Sequence, residues 1–260
     1  MDDRLSIILS PHFDDAVLSL GGFIATAPER AVIVTVFAGT PAEGIAGRWD
    51  RWSGFKTAAE AMRARALENE AALAVLGVPP NGILNLGFLD RQYRPHDTAI
   101  RGLEPAIAET VRRLAVRPGE PIDVFCPISP WHPDHRAVTD AVVALWKARE
   151  LQGAAVLLYQ DQPYAYLELR RRTLAPLRLV SFSTMGNARG VSAQPHSLEF
   201  DDMAAAKKRQ AIGRYKSQFP LVRPLLSKMI ADFSRYQARA AGLFSRHAEI
   251  VYRLDPPAHS

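Results

Sequence analysis

The chain has 260 residues, enough for one large α/β domain with a buried core and no covalent staples. One cysteine, Cys126, excludes an internal disulfide framework and a cysteine-built zinc site, and it fits a reducing compartment. The formal charge of +5 comes from arginines that are scattered apart from the run at 170–172. With no aromatic-interleaved basic strip beside them, no nucleic-acid partner is expected. No stretch approaches the roughly 18 unbroken apolar residues of a membrane span. The start Met1-Asp2-Asp3-Arg4 lacks the basic opening of a signal peptide, so a cytoplasmic protein is expected.

Residues 5–10 are apolar and β-branched and end at Pro11, which predicts a buried strand followed by a loop. Asp14 and Asp15 then open a helix running to about Ala27. Residues 31–38 predict a second buried strand that leaves at Gly39. Residues 40–54 form a long loop carrying Trp49 and Trp52, more bulk than a simple connection needs. A long helix is expected over 55–76, ending at Gly77, then a short strand at 83–86 and a helix at 103–116. A fourth strand at 122–128, a loop at 129–133, a helix from Asp134 to about Glu150 and a fifth strand at 155–160 follow. Beyond these, strands near 178–184 and helices near 201–217 and 225–242 are expected. Strands alternating with helices give βαβ units. The right-handed crossover rule winds them into a Rossmann-like α/β fold, a mainly parallel sheet with helices on both faces. No linker divides the chain, so one domain spans 1–260, with a core at about 4–165 and C-terminal strands and helices at about 166–255.

Two clusters carry chemistry. Pro11-His12-Phe13-Asp14-Asp15 follows the first strand, and His132-Pro133-Asp134-His135 follows the fourth. Both lie at carboxyl ends of parallel strands, where open α/β sheets place their sites, so loops distant in sequence can build one pocket. Imidazole nitrogens and a carboxylate suit zinc, and three protein ligands leave an open catalytic position. The same two-histidine, one-carboxylate set also serves Fe(II), which stands as the alternative metal. The further carboxylates and histidine exceed what a metal needs and fit a general base and groups that orient the ligands. The competing reading is structural: an Asp after a strand often caps a helix, and Asp14 and Asp134 could each do so.

The first cluster with its flanks, Ser10 through Gly22, resembles the first signature of the PIG-L (LmbE-like) zinc deacetylase family, and His132-Pro133-Asp134-His135 resembles the second. Arg65-Ala66-Leu67-Glu68, Leu86 through Asp90, Tyr159 through Tyr164 and Lys216-Ser217-Gln218 are similar to further family segments. The resemblance implies a zinc-dependent amide hydrolase that releases acetate, or another small acyl group, from an N-acetylglucosaminyl-type conjugate. It implies His12, Asp15 and His135 as metal ligands and Asp14 as the general base toward water. It implies that His132 stabilises the oxyanion as an imidazolium or protonates the leaving amine, and that Asp134 orients and charges it. Arg65 and Asp90 would contact substrate hydroxyl or phosphate groups. Phe13 and Ala16 depart from the usual Pro and Glu of the first signature. Phe13 is expected to narrow the pocket or offer a stacking face, and Ala16 to alter the surroundings of the metal.

Trp49 and Trp52 fit either a substrate lid or a packed loop, and Trp131 either lines the pocket or anchors its loop. Ser129 and Ser181 lack a nucleophile elbow, and no Gly-x-Gly-x-x-Gly follows the first strand. The expected partner is a small N-acylated amino-sugar substrate, and a homo-oligomer remains open. Two alternatives stand beside the deacetylase: an amidase for a larger thiol-conjugate or biosynthetic amide, and a non-catalytic sugar- or nucleotide-binding Rossmann module. Substrate selectivity is expected from the loops 40–54 and 186–200.

Overall fold

The computed structural model describes residues 4–42, 46–95, 100–115, 121–129, 132–151, 153–165, 190–218, 233–239, 241–243 and 246–256. Trp131, Ser181, the run at 170–172 and the strand expected near 178–184 lie outside them. Five parallel strands form the frame: β1 (Leu5–Ser10), β2 (Ala31–Thr35), β3 (Ile83–Asn85), β4 (Ile122–Ile128) and β5 (Ala155–Gln160). Two more, β6 (Ala193–Phe200) and β7 (His247–Leu254), complete a seven-stranded sheet of order β3-β2-β1-β4-β5-β7-β6. β7 runs antiparallel to both of its neighbours.

The helices are α1 (Asp15–Ile24), α2 (Arg48–Trp52), α3 (Ala58–Leu76), α4 (Leu103–Leu114), α5 (Pro133–Lys147) and α6 (Asp202–Ile212). Strand periodicity sorts them onto two faces. Ile7, Leu9, Val124 and Cys126 pack with α4 and α5, whereas Ile8, Ile33, Phe125 and Leu157 pack with α1, α3 and α6. Each face is a continuous apolar cluster, so β1, β2, β4 and β5 are buried on both sides and read as mainly apolar runs, whereas the short edge strand β3 is only partly buried. α3 begins with a capping box at Thr57 and Glu60 and ends at Gly77, whose φ of 96° suits a residue without Cβ.

The C-terminal strands depart from the expected pattern. Residues 193–200, assigned to a selectivity loop from the sequence, are the edge strand β6. Its composition, Ala-Gln-Pro-His-Ser-Leu-Glu-Phe, is polar because most of one face meets solvent. Residues 48–52, expected in a loop, are the short helix α2. Of the helix expected at 225–242, the described part is helical over 233–239.

In this order the direction of winding reverses between β1 and β4. That places the loops after these two strands side by side at the carboxyl edge, the crevice where doubly wound sheets bind ligands.

Candidate metal centre and active-site cleft

The β1–α1 loop is shaped by Ser10. Its hydroxyl donates to the His12 carbonyl at 2.5 Å and accepts from the Ala16 amide at 3.0 Å. This small turn leaves Asp14 at the N-cap of α1 with no side-chain capping bond, and Asp14 and Asp15 are both buried. On α5 the cap is His132, whose Nδ1 accepts from the Asp134 amide at 3.3 Å. The side chains of Asp14 and Asp134 therefore make no N-cap bond to these helices. Thr139 fixes the first turn of α5 against β4 by donating to the carbonyls of Pro127 and His135.

These loops bring His12, Asp15 and His135 together across 123 residues. His12 Nδ1 lies 3.1 Å from His135 Nε2, and Asp15 Oδ2 lies 3.3 Å from each of those nitrogens. The remaining ring nitrogens face carboxylates: His12 Nε2 is 3.3 Å from Asp134 Oδ2, and His135 Nδ1 is 2.6 Å from Asp161 Oδ2. If those nitrogens carry the ring protons, the three inward atoms are all lone-pair donors. Three such atoms at contact distance repel one another unless a cation lies among them. The spacing also fits the ion: bonds of about 2.0–2.1 Å make tetrahedral edges of roughly 3.3–3.4 Å. Carboxylates on the outer ring nitrogens are the usual means of fixing the tautomer and orientation of metal-bound histidines. His132, Asp90, Asp134 and Asp161 contribute further ligand-type atoms to overlapping groups around this triangle.

The residues alone already attract positive charge. Burial disfavours a charged His12, but hydrogen bonds to Asp134 and Asp15 outweigh it and hold its pKa well above the usual value. His135 is raised as well, because Asp15 and Asp161 outweigh its burial. Asp14 is pushed up to about 7, first by burial and then by the charge of Asp15. His132 moves the other way, down to about 4, through burial and repulsion from His12 and His135. It is thus held neutral near pH 7, unlike the imidazolium expected from the sequence. Because Nδ1 accepts from a backbone amide, the proton of the neutral ring sits on Nε2.

The other expected site residues fall as follows. The Asp134 carboxylate faces His12, the Arg91 amide and the Arg94 guanidinium, so it orients His12 rather than His132. Asp90 Oδ2 stands 4.0 Å from His12 Nε2, and the same carboxylate binds the amide and side chain of Gln92. Arg65 lines the cleft but is buried, with its guanidinium 2.8 Å from Asp50 Oδ1 and 3.3 Å from the Tyr93 hydroxyl. Phe13 packs with Met62 and Tyr93 and also lines the cleft. Ala16 is fully buried in the apolar cluster of α1, where a longer acidic side chain would displace core packing.

Two residues were given no role in the sequence reading, although Asp161 lies in one of its family-like segments. Asp161 directly follows β5 at the same sheet edge, and that position was a usable signal. Asp50 is fully buried on α2 and accepts from the Tyr93 hydroxyl at 2.9 and 2.8 Å. No pattern in the sequence marks it. The cleft has a volume of about 840 Å³, and Trp49, Trp52, Arg48 and Tyr164 line it together with His12, Asp15 and His135.

An open α/β sheet with a carboxylate–imidazole cluster at its switch point, and a buried acid poised beside it, defines a hydrolase-type centre. The family model for PIG-L, GlcNAc-PI de-N-acetylase, matches residues 7–146, and the chain belongs to that family of N-deacetylases. No curated protein matches it in sequence. Among solved structures it is similar to the A40926 pseudoaglycone deacetylase Dbv21, with 26% identity and a TM-score of 0.75 over 100% of both chains. It is also similar to a deacetylase triple mutant of the teicoplanin biosynthetic pathway, with 25% identity and a TM-score of 0.74 over 99% of this chain and 100% of that one. The 4-carboxy-2-hydroxymuconate hydratase GalB of Pseudomonas putida KT2440 shares the fold at 18% identity and a TM-score of 0.60, covering 99% and 98%.

Proposed function

We propose that this chain is a zinc-dependent N-deacetylase that releases acetate from the amino sugar of a glycosyl conjugate. Glycopeptide conjugates are the leading class, because the two relatives at 25–26% identity are named for work on A40926 pseudoaglycone and in the teicoplanin pathway. The observation that carries the reading is the triangle of His12 Nδ1, Asp15 Oδ2 and His135 Nε2, with edges of 3.1, 3.3 and 3.3 Å. His12, Asp15 and His135 would hold the metal. When bound, zinc supplies a Lewis acid for the amide carbonyl and lowers the pKa of water toward neutrality.

The chain's own residues complete the chemistry. Asp14, buried beside the triangle with its pKa at about 7, accepts a proton from the attacking water and can return it to the leaving amine. His132, neutral with its proton on Nε2, donates a hydrogen bond to the oxyanion as charge develops there. Asp134 and Asp161 hold the two histidine rings in place. Asp90, at the cleft wall beside His12, is placed to accept from a sugar hydroxyl. Arg65 acts instead through the buried cluster with Asp50 and Tyr93.

The test combines metal analysis with amine release on a panel of N-acetylglucosaminides and glycopeptides. About one zinc per chain, with turnover abolished by chelator and by Asp14→Ala, is the expected result. Failure to bind zinc or iron(II) would overturn the metal assignment. Bound metal with cleavage confined to larger amides would move the substrate to the amidase class.

A further inference from the structure

The cleft has a wall that the deacetylation chemistry does not use. Trp49 and Trp52 project from α2, 38% and 62% exposed, and both line the cavity that holds His12, Asp15 and His135. Their ring centroids are 5.5 Å apart at an interplanar angle of 66°, so the two indoles form a corner. Contiguous exposed apolar groups mark contact surfaces, and two on one short helix lining a cavity form such a surface.

The rigidity of α2 adds a second observation. A five-residue helix has little stability of its own. This one is held by Asp50, whose carboxylate closes a capping interaction on the Gly47 amide at 2.8 Å and accepts from Tyr93, with Arg65 at 2.8 Å. Ser53, next after the helix, donates to the Ser217 carbonyl at 2.7 Å. The buried anchors fix the angle at which both indoles are presented.

We propose that Trp49 and Trp52 form an aglycone subsite that takes a planar aromatic group attached to the amino sugar. This rests on the deacetylase reading and names the substrate class of the same site. A corner of two indoles suits a flat ring, which lies on one face and meets the edge of the other, the two favoured aromatic geometries. A pyranose needs only one face, and its acetamide must lie at the metal triangle, deeper in the cleft. At about 840 Å³ the cleft is in the upper part of the range for drug-sized ligands, large enough for a sugar and a further ring together. Arg48, exposed and one turn before Trp52, lines the same wall and can meet an anionic substituent or stack on the ring.

The experiment compares para-nitrophenyl with methyl N-acetylglucosaminide. Binding is measured by calorimetry on the zinc-loaded Asp14→Asn chain, and kcat/KM on the wild type. The aryl glycoside is expected to bind roughly 10-fold or more tightly, as aromatic contacts of this kind provide. Trp49→Ala and Trp52→Ala should each erode that preference, the double variant should abolish it, and Trp→Phe should retain part of it. Unchanged thermal unfolding separates lost contacts from lost fold. Equal binding of the two glycosides, no binding of the aryl glycoside, or an aryl preference that survives the double variant would each overturn the subsite. Preferential aryl binding without turnover of any glycoside would keep the subsite and sink the deacetylase reading.

Discussion

Carboxylates are buried in two regions around the cleft, under different conditions. At the carboxyl ends of β1, β4 and β5, Asp14, Asp15, Asp134 and Asp161 crowd around three imidazoles, and the triangle of His12 Nδ1, Asp15 Oδ2 and His135 Nε2 brings three ligand-type atoms within 3.3 Å of one another. At α2 a single carboxylate, Asp50, is met by the Tyr93 hydroxyl, the Gly47 amide and Arg65. The first arrangement is costly for the bare chain and makes sense as a device for holding a cation. The second gives its one carboxylate a hydroxyl, an amide and a guanidinium as partners and makes sense as a joint.

The largest effect should come from removing a ligand. Asp15→Ala should eliminate stoichiometric zinc and reduce turnover to background, as read by metal analysis and amine release. Asp14→Asn should keep the metal but lower kcat by about 10²- to 10⁴-fold, the usual contribution of a general base.

The same substitution should stabilise the chelator-treated protein. The folded pKa of Asp14, about 7, lies above the unfolded value, so its ionisation opposes folding. That cost is absent below about pH 4, grows up to about pH 7 and stays constant above it. Thermal unfolding of wild type and Asp14→Asn should therefore coincide near pH 4 and diverge by pH 8, with the variant higher. A variant less stable at pH 8 would erase the contrast between the two regions.

Smaller changes sharpen the comparison. Asp161→Asn should weaken zinc affinity by about 10- to 100-fold, as loss of an orienting carboxylate does, and competition with a chromogenic chelator would measure it. Asp50→Asn should leave zinc affinity unchanged while destabilising the fold by about 3–5 kcal/mol, the cost of breaking a buried pair, as read by denaturant unfolding. Altered metal affinity in that variant would show that the joint and the metal centre act as one unit.

The parallel strands and both site loops could be read from the sequence because burial on two faces makes β1, β2, β4 and β5 mainly apolar runs. β4 and β5 fall on the expected residues, 122–128 and 155–160. β6 could not be read in the same way. It is an edge strand with exposed Gln194, Pro195 and His196, and only its pairing with β7 makes it a strand. Within the site, His12, Asp15 and His135 were legible because two spaced motifs pointed to one sheet edge. The partner of Asp134 was not, since nothing local says that its carboxylate turns toward His12. Asp50 was invisible for a similar reason: its partners Tyr93 and Arg65 are 43 and 15 positions away and meet it only in the folded chain.

The sheet order also bears on when an ion can be acquired. β1 and β4 are neighbours, yet their loop residues His12 and His135 are separated by 123 positions. A nascent chain therefore has no chelating site until β4 has been synthesised and docked beside β1. The apolar clusters on both faces of the sheet are built from residues other than the ligands, so collapse does not wait for the ion. Under the proposed metal reading, loading would be a late step, performed on a finished scaffold. The apoprotein should be a folded and isolable species, and its gain in melting temperature on metal addition should follow mass action with the free ion concentration.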